Sequence, residues 1–512
     1  MKAASSLLAS PLLLHPIKSP NHHKPTSTIT TTTTTKTLPS SIICRAENKP
    51  TTNPRKKPTM DGPTRPTRGR NPRKPSYGMS RRSALKKTFS QEQVTFTGPL
   101  SDDPVVGIIG GGMSGLVCAL SLEEKGVRST VFDTGLHGLG GRMGTRLIDP
   151  QPLIFDHAAQ FFTVSDQRFS KLVDGWLEKG LVRQWQGTIG ELEVGGQFVP
   201  LPSSPPRLTE KEHVVQTSMV DVVRPSWISK LEPFNGMWHL SENGKPSGQF
   251  DAIVIAHNGK CANRLLSSSG LPLIARQMKR LELSSIWALL AAFEDPLPIP
   301  PNALTFPFEG AFVKGVDSLS WMANNTKKLS CSPNTGPHCW TFFSTAAFGK
   351  RNKVPQESIP AVTADKVKAA MLEGVESALG LSKGSLMRPF YSRVQLWGAA
   401  LPTNTPCIPC IFDPHGRAGV CGDWLLGSSL EAAALSGIAL ANHASSFYPF
   451  FSPLLPWLVI ADYFQSGGTR PDEFAVGLHN EFQPLAGHDI GQFPGLESKE
   501  LTVGAQAIQL ST

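Results

Sequence analysis

Residues 105–133 read VVGIIGGGMSGLVCALSLEEKGVRSTVFD, and this stretch decides the fold. A short apolar run, a glycine-rich turn, an apolar-periodic segment and a second apolar run predict strand, turn, helix and strand. Gly110 allows a tight turn, Gly112 leaves room for a pyrophosphate at the helix N-terminus, and Gly115 lets helix and strand approach closely. Asp133 ends the second strand, where its carboxylate is placed to accept ribose hydroxyls. The stretch therefore predicts a dinucleotide-binding unit.

A second glycine-rich turn follows directly, with the sequence GLGGRMGTR at residues 138–146. Bare backbone N–H groups and the guanidinium of Arg142 then lie close together, which suits phosphate binding. A unit that binds only NAD gains little from such a turn, and an ordinary flexible loop is the alternative interpretation. The tandem arrangement resembles the flavin-binding half of the amine-oxidase-like superfamily, where residues after the second strand contact FAD. By that resemblance, Asp133 would hold the adenosine ribose of FAD.

A third segment lies near the C-terminus, with CGDW at residues 421–424 and SLEAAALSG at residues 429–437. We expect a strand, a turn that carries Asp423, and a helix whose first turn holds small residues. Such a helix N-terminus can approach the flavin edge, where its N–H groups stabilise the electron-rich reduced ring. Taken alone, the segment also fits a tightly packed core helix.

The length of 512 residues predicts two or more domains. The run DAIVIA at residues 251–256 is typical of a buried parallel strand that returns to the nucleotide-binding sheet. We predict an α/β fold: a Rossmann-like FAD-binding domain of the glutathione-reductase-2 type with an interleaved α+β substrate domain. The predicted ranges are 1–46 for a transit peptide, 47–100 for a disordered basic linker, 101–160 with 212–264 and 395–445 for the FAD-binding domain, 161–211 with 265–394 for the substrate domain, and 446–512 for a C-terminal extension.

Positive charge is concentrated at the N-terminus. Residues 1–90 hold 18 lysines and arginines against two acids, so the remainder is net negative although the whole chain is +10. The overall charge therefore gives no reason to expect nucleic-acid binding. Residues 1–46 contain no acid and many serines and threonines, which is typical of organelle leaders and suits a plastid. We expect a chloroplast protein, in the stroma or associated with a membrane.

The cysteines include one close pair, Cys407 and Cys410, in a proline-rich loop without a second pair to complete a zinc site. We therefore expect reduced thiols and no metal. Cys421 abuts the predicted turn at Gly422 and Asp423 and is interpreted as a packing residue, so the FAD is expected to be noncovalent. Asp156 and His157 invite an acid–base interpretation, but a histidine beside a motif more often satisfies local backbone groups.

Five motifs occur in the order found in renalase-like FAD-dependent oxidoreductases, a branch of the flavin amine oxidase superfamily. They are GGGMSG, GLGGRMGTR, FDHAAQFFT, DAIVIA and CGDW…SLEAAALSG, between residues 105 and 443. The resemblance implies that Val223 holds the adenine through its backbone. It implies FAD contacts from Gly110, Gly112, Met113, Ser114, Gly115, Asp133, Gly141, Arg142, Met143, Val223, Gly422, Asp423, Leu430 and Glu431. It places Gln160, Phe162 and Trp397 in the substrate pocket.

The chain departs from this family at positions that would line the pocket. Ala158 stands where the family has glycine, and Phe161 stands where it has tyrosine. Residues 395–402 read QLWGAALP where bacterial relatives read roughly HRWRYALP. The motifs therefore indicate the cofactor better than the substrate.

The resemblance implies an FAD-dependent oxidoreductase in which a small reduced substrate passes a hydride to flavin N5. The expected substrate is a reduced nicotinamide species, with NAD(P)H as a candidate, or an amine. One alternative is a plastid desaturase or oxidase of an apolar isoprenoid or tetrapyrrole. Its support is the apolar run at residues 447–460, which would touch a membrane peripherally but is too short and proline-broken to span it. The other alternative is a non-catalytic FAD-bound scaffold, supported by the lost pocket residues around Gly398.

Overall fold

The computed structural model describes residues 92–136, 138–150, 153–210, 219–257, 259–298, 308–329, 336–445 and 475–485. The predicted leader, most of the predicted linker and the apolar run at residues 447–460 lie outside these ranges. All described residues belong to one unit of the chain, Ser76–Thr512. Within them, no helix is long and apolar enough to cross a membrane.

The described chain contains 22 strands, which form two large sheets and several small ones. In chain order the strands are β1 (Val105–Ile109), β2 (Arg128–Phe132), β3 (Thr145–Ile148), β4 (Leu153–Asp156), β5 (Val182–Gln184), β6 (Ile189–Glu193), β7 (Gln197–Pro200), β8 (Leu208–Glu210), β9 (Val220–Val223), β10 (Lys230–Phe234), β11 (Met237–Glu242), β12 (Lys245–Phe250), β13 (Ala252–Ile255), β14 (Ile286–Phe293), β15 (Gly310–Lys314), β16 (Trp321–Asn324), β17 (His338–Phe343), β18 (Tyr391–Trp397), β19 (Asn404–Thr405), β20 (Ile411–Asp413), β21 (Ala418–Val420) and β22 (Gln483–Pro484).

Helices cover the sheets. In chain order they are α1 (Met113–Glu123), α2 (Gln167–Glu178), α3 (Gly259–Leu266), α4 (Pro272–Arg280), α5 (Asn325–Leu329), α6 (Ala346–Arg351), α7 (Ala361–Ala378) and α8 (Leu430–Ser445).

A six-stranded sheet carries the dinucleotide motif. Its order is β20-β21-β13-β1-β2-β9, and all neighbours are parallel except β20 and β21. The strands predicted at residues 105–109, 127–132 and 251–256 are confirmed as β1, β2 and β13. Because the carboxyl ends of parallel strands share one edge of a sheet, the turns after β1, β2 and β21 meet there. The Rossmann-like α/β prediction is thereby confirmed.

An antiparallel meander, β10-β11-β12, connects β9 to β13. Trp238 is fully buried, and its Nε1–H donates to the carbonyl of Gly416 over 2.9 Å. The meander is thus anchored to the hairpin between β20 and β21 by a hydrogen bond as well as by apolar contact.

A seven-stranded sheet, β18-β14-β17-β16-β15-β6-β7, forms the second large layer. Its pairs are antiparallel apart from β15 and β6. β14 lies inside the sheet and is buried along its whole length, as its sequence IWALLAAF requires.

Helix α8 packs across α1. A Cβ atom on Gly437 would lie only 2.4 Å from the carbonyl oxygen of Ser114, so glycine is required for this approach. The helix predicted at the segment SLEAAALSG is confirmed as α8. Its small residues therefore serve close helix packing, one of the two interpretations that the sequence left open.

The two large sheets draw on separate stretches of the chain. Every strand of the six-stranded sheet falls within the ranges predicted for FAD binding, and the seven-stranded sheet draws on the ranges predicted for the substrate domain. β18 is the exception, since it crosses the limit predicted at residue 394. The domain limits themselves stay a prediction.

Candidate dinucleotide-binding site

The turn between β1 and α1 depends on glycine at two positions. Gly110 has a φ of +121°, and a Cβ there would lie 2.7 Å from the carbonyl oxygen of Ala256. A Cβ on Gly115 would lie 2.0 Å from the carbonyl oxygen of Gly110. Side chains at either position would collide with backbone, so these glycines hold the strand and helix together.

Gly112 has a different role, because among the described residues no atom occupies the position that its side chain would take. It is the N-cap of α1, with φ −83° and ψ 178°, and a Cβ built there meets no atom within 4 Å. No side chain caps the helix, and its first turn contains no acid. Free N–H groups at a helix N-terminus attract an anion, so this end of α1 is a candidate phosphate site.

The second glycine-rich turn docks directly onto the first. The N–H of Gly140 donates to the carbonyl of Gly111 over 2.8 Å, and Gly112 and Gly140 form a β-bridge. Gly140 and Gly141 have φ values of 97° and 58°, a conformation that glycine adopts without strain. The turn closes in a single 3₁₀ turn, Gly141–Met143. The two motifs predicted to hold one cofactor are therefore in contact.

Asp133 connects these turns. Its Oδ2 accepts the N–H of Gly111 at 2.8 Å, and its Oδ1 accepts the N–H of Gly135 at 2.7 Å. The N–H of Asp133 donates to the carbonyl of Val223, which places the end of β9 beside it. The carboxylate thus orders the glycine turns, and its contact with a ribose remains a prediction. The same holds for the backbone contact of Val223 with adenine.

Arg142 links the second turn to the third motif. Its guanidinium donates to Oδ1 of Asp423 at 2.7 Å and to the carbonyl of Ala400 at 2.8 Å. Desolvation would lower the pKa of Arg142, but the charge and hydrogen bond of Asp423 outweigh it and raise that pKa. Arg142 therefore stays protonated, and its ion pair with Asp423 fixes the turn after β21 beside the turn after β2.

The start of α8 completes the site. Gly422 donates its N–H to Oγ of Ser436 over 2.9 Å, which ties the turn to the helix. Leu430 opens the helix and packs toward α2. The carboxylate of Glu431 accepts the N–H groups of Ser165 at 2.7 Å and Asp166 at 2.9 Å. In the structure this carboxylate thus binds the backbone at the start of α2. Its contact with the cofactor stays a prediction.

The structure brings two of the three pocket candidates together. The ring of Trp397 stacks on His157 with centroids 5.2 Å apart, and its Nε1–H donates to the carbonyl of His157. Gln160 donates through Nε2 to the carbonyl of Asp156 at 2.8 Å. Phe162, in contrast, packs against Phe169 in the apolar cluster beneath α2 and α8.

Two buried polar atoms beside the glycine turns have no hydrogen-bond partner among the described residues. They are Oε1 of Gln160 and Nδ1 of His157. Nε2 of the same histidine lies 3.4 Å from the position of a Cβ on Gly144, at the end of the second turn. Buried polar atoms are normally satisfied, so these atoms indicate a place where a polar group of a ligand would bind.

His157 is held neutral. Desolvation by burial is the main cause, and the charges of Arg146 and Arg393 add to it, so the pKa of His157 falls to about 3. A neutral imidazole can accept or donate a hydrogen bond but carries no exchangeable positive charge near neutral pH. This agrees better with the local structural interpretation of His157 than with a general acid.

One buried ion pair joins Asp156 of the motif FDHAAQFFT to a lysine outside the motifs that the sequence singled out. Lys328 on α5 has a fully buried side chain, and its Nζ donates to Oδ2 of Asp156 and to the carbonyl of Gln160. The ammonium also lies 5.1 Å from the ring centroid of Trp185. Thr145 donates its hydroxyl to the other oxygen of Asp156. No local pattern around Lys328 signals this role, because its partners lie far away in the chain.

The described cysteines are free thiols, with Cys407 exposed and Cys410 buried. A hydrogen bond with Cys421 and burial raise the pKa of Cys118 well above its ordinary value, and burial raises that of Cys410 to about 12. Within the described ranges, no group of three histidines, cysteines or acids is arranged to hold a metal ion.

Comparison with known families gives one match, to the NAD(P)-binding Rossmann-like domain over residues 108–176. These residues include β1, α1, β2 and the second glycine turn. The match supports the assignment of this part of the chain as a dinucleotide-binding Rossmann domain.

Similar solved structures include cyclohexylamine oxidase from Brevibacterium oxydans IH-35A, with 11% identity over 67% of this chain and 99% of that chain and a TM-score of 0.46. Putrescine oxidase bound to putrescine has 11% identity over 67% and 99% of the two chains, with a TM-score of 0.44. Reduced UDP-galactopyranose mutase has 10% identity over 67% and 94%, with a TM-score of 0.49. These distant likenesses concern the course of the backbone and do not identify a ligand.

Proposed function

We propose that this chain is an FAD-dependent oxidoreductase, similar to the renalase-like enzymes, that oxidises a small reduced substrate. The observation that carries the proposal is the contact between two glycine-rich turns, Gly140 N–H to the carbonyl of Gly111, beside the uncapped N-terminus of α1. A pyrophosphate needs several N–H donors and an open approach, and the space beside Gly112 offers both. The motif resemblance favours FAD over a nicotinamide dinucleotide as the resident cofactor.

Different residues of the site would bind different parts of the cofactor. The first turn and α1 would hold the pyrophosphate, and Asp133 with the end of β9 would hold the adenosine. The turn at Gly422 and Asp423 and the start of α8 would face the flavin ring. When bound, FAD supplies a two-electron acceptor for the hydride of the substrate, which dioxygen or another acceptor reoxidises.

The protein side of the reaction is positioning rather than proton transfer. Trp397, which stacks on His157, and Gln160, three residues further along the chain, would orient the reacting carbon. The neutral imidazole of His157 and the free Oε1 of Gln160 are suited to hydrogen bonds with polar groups of the substrate. Both proposed substrate classes, a reduced nicotinamide species and an amine, present such groups.

The test is the visible absorption spectrum of the purified full-length protein before and after anaerobic addition of NADPH. We expect a two-band flavin spectrum, release of FAD on denaturation, and bleaching by a reduced nicotinamide. A colourless protein that FAD does not reconstitute would contradict the proposal. If neither a reduced nicotinamide nor an amine reduces the bound flavin, the proposed cofactor is supported and both proposed substrate classes are wrong.

We also propose that the chain is imported into chloroplasts and that residues 447–460 contact a membrane surface. The support is the acid-free, Ser/Thr-rich leader and the apolar composition of that run. Import of the full-length chain into isolated chloroplasts, followed by separation of stroma from washed membranes, tests both. Failure of import opposes the first proposal, and complete recovery in the stroma opposes the second.

A further inference from the structure

Two aromatic contacts fix the β3–β4 ribbon against β18. Phe155 stacks on Tyr391 with centroids 5.8 Å apart, and His157 stacks on Trp397 at 5.2 Å. Tyr391 and Trp397 are the first and last residues of β18, whereas Phe155 and His157 are alternate residues at the end of β4 and just after it. One face of β18 is thereby defined as the face that meets the ribbon.

Two arginines lie on these facing surfaces. Arg393 is two residues after Tyr391 and four before Trp397, and side chains at even spacing share one face of a strand. Arg146 is paired with Phe155 in the β3–β4 register, so the two side chains lie on the same face of the ribbon. The arginines therefore approach the same space from two different strands.

The positive charges of Arg146 and Arg393 act on the same space. Desolvation is the main cause of the lowered pKa of Arg146, and the charge of Arg393 adds to it; both arginines also lower the pKa of His157. Neither arginine has an ion pair within the described part of the chain, and Nε of Arg146 is buried without a hydrogen-bond partner there. Asp156, in the same ribbon, is already paired with Lys328.

Like charges held together without a counter-ion destabilise a fold, and a bound anion relieves that repulsion. A planar guanidinium binds a phosphate or carboxylate through two parallel N–H donors. The location is suitable for a substrate, because Gly144 of the second glycine turn lies next to His157, on which both arginine charges act.

We propose that Arg146 and Arg393 form a binding site for a phosphate or carboxylate group of the substrate. This inference rests on the proposed function and narrows its substrate class. A reduced nicotinamide species that carries phosphates is attracted to the two arginines, whereas an amine is positively charged and is repelled. The site thus selects an anionic substrate over a cationic one.

The experiment is calorimetric titration of the full-length, FAD-supplemented protein with inorganic pyrophosphate and, separately, with succinate. We expect binding that weakens at high salt and that weakens about tenfold or more in Arg146→Gln and in Arg393→Gln. Arg388→Gln is the matched control, since Arg388 is an exposed arginine just before β18 and outside the proposed site. Arg393→Lys keeps the charge but loses the paired donors, so an intermediate affinity is expected.

Tighter binding of pyrophosphate identifies a phosphate site, tighter binding of succinate identifies a carboxylate site, and either supports the inference. Failure of the wild-type protein to bind both anions overturns it, as does unchanged affinity in both arginine variants while thermal unfolding shows them folded. The titration requires no turnover. Flavin content, read from the absorption of the same samples, reports separately on the proposed function.

Discussion

The guanidinium of Arg142 lies 2.7 Å from Oδ1 of Asp423, although 281 positions of sequence separate the two residues. The same guanidinium also reaches the carbonyl of Ala400. Three segments of the chain thus meet at one side chain: the turn after β2, the turn after β21 and the loop after β18. Because an arginine can donate several hydrogen bonds in fixed directions, it orients these segments relative to one another.

Removal of Asp423 is expected to destabilise the folded protein. Asp423 is 8% exposed and Arg142 is 33% exposed, so water offsets only part of the lost interaction. We expect Asp423→Ala to lower the free energy of unfolding by about 1–3 kcal/mol, measured by urea denaturation. Asp103→Ala is the control, because Asp103 is 67% exposed in its pair with Arg128 and should contribute about 0–1 kcal/mol. Equal decreases in the free energy of unfolding of the two variants would show that the ion pair of Arg142 and Asp423 stabilises the fold no more than an exposed ion pair does.

Substitution of Gly112 and of Gly115 by alanine should distinguish an effect on cofactor binding from an effect on folding. A Cβ on Gly112 meets no protein atom within 4 Å, so Gly112→Ala should fold as the wild type does. That Cβ would occupy the space proposed for the pyrophosphate, so we expect FAD affinity to fall about tenfold or more. Flavin content after gel filtration and fluorescence titration with FAD measure this.

Gly115→Ala should show the opposite behaviour. Its Cβ would lie 2.0 Å from a backbone oxygen, so we expect a loss of stability of about 1–3 kcal/mol even without a ligand. Gly175→Ala, with open space in α2, serves as the control for both variants. Full flavin content in Gly112→Ala would place the pyrophosphate elsewhere.

The sequence predicted the strands and helices around the cofactor because each is encoded locally. The apolar run of β1, the glycine spacing and the period of α1 lie within 20 residues of one another, and the second strand follows at once. Predicted limits differ from the observed ones by one or two residues. The start of α2 at Gln167 is set by Asp166, which caps the helix by accepting the N–H of Arg168. The order of motifs was sufficient to place three separate turns at one sheet edge.

The polar contacts inside the site depend on three-dimensional proximity and were not predictable in the same way. Lys328 meets Asp156 across 172 positions, and Glu431 meets Ser165 across 266. Neither lysine nor glutamate carries a local pattern that names its partner. The environment of Phe162 was also missed, since two adjacent phenylalanines point to opposite sides: Phe161 faces Trp185, and Phe162 faces Phe169.

The buried pair of Lys328 and Asp156 should show strong coupling. Lys328→Met leaves a nearly buried carboxylate without its cation, so we expect a loss of about 3–5 kcal/mol in the free energy of unfolding. Adding Asp156→Asn removes the unpaired charge and should recover part of that loss, which a double-mutant cycle measures. Lys314→Met, in the exposed pair with Glu191, is the control and should change stability by about 0–1 kcal/mol. Strict additivity of the two substitutions would contradict the coupling.

The thiols should differ sharply in reactivity. The reactive species is the thiolate, and burial raises the pKa values of Cys118 and Cys410. Cys407 is exposed, so we expect iodoacetamide at pH 8 to alkylate it well before the buried thiols. Peptide mass spectrometry of timed samples measures the order, and urea-unfolded protein is the control in which all sites react. Early alkylation of Cys118 in the native protein would show that the core around α1 opens readily.

The last prediction concerns pH and His157. Its pKa is about 3 in the folded protein and about 6.5 in the unfolded chain, so below pH 6.5 the unfolded state binds a proton that the folded state does not. The contribution of His157 to the free energy of unfolding is therefore fully present above pH 6.5 and decreases as the pH falls toward 3. At pH 5 we expect the loss to be about 2 kcal/mol. His157→Phe keeps an aromatic ring against Trp397 but removes the titration. We expect its Tm to fall less than that of the wild type between pH 7.5 and pH 5. Burial also lowers the pKa values of His338 and His443, so the Tm of the His157→Phe variant should still depend on pH, but less strongly than that of the wild type. An identical fall in Tm for the two proteins would show that His157 is protonated in the folded state and that its neutral role beside the glycine turns is wrong.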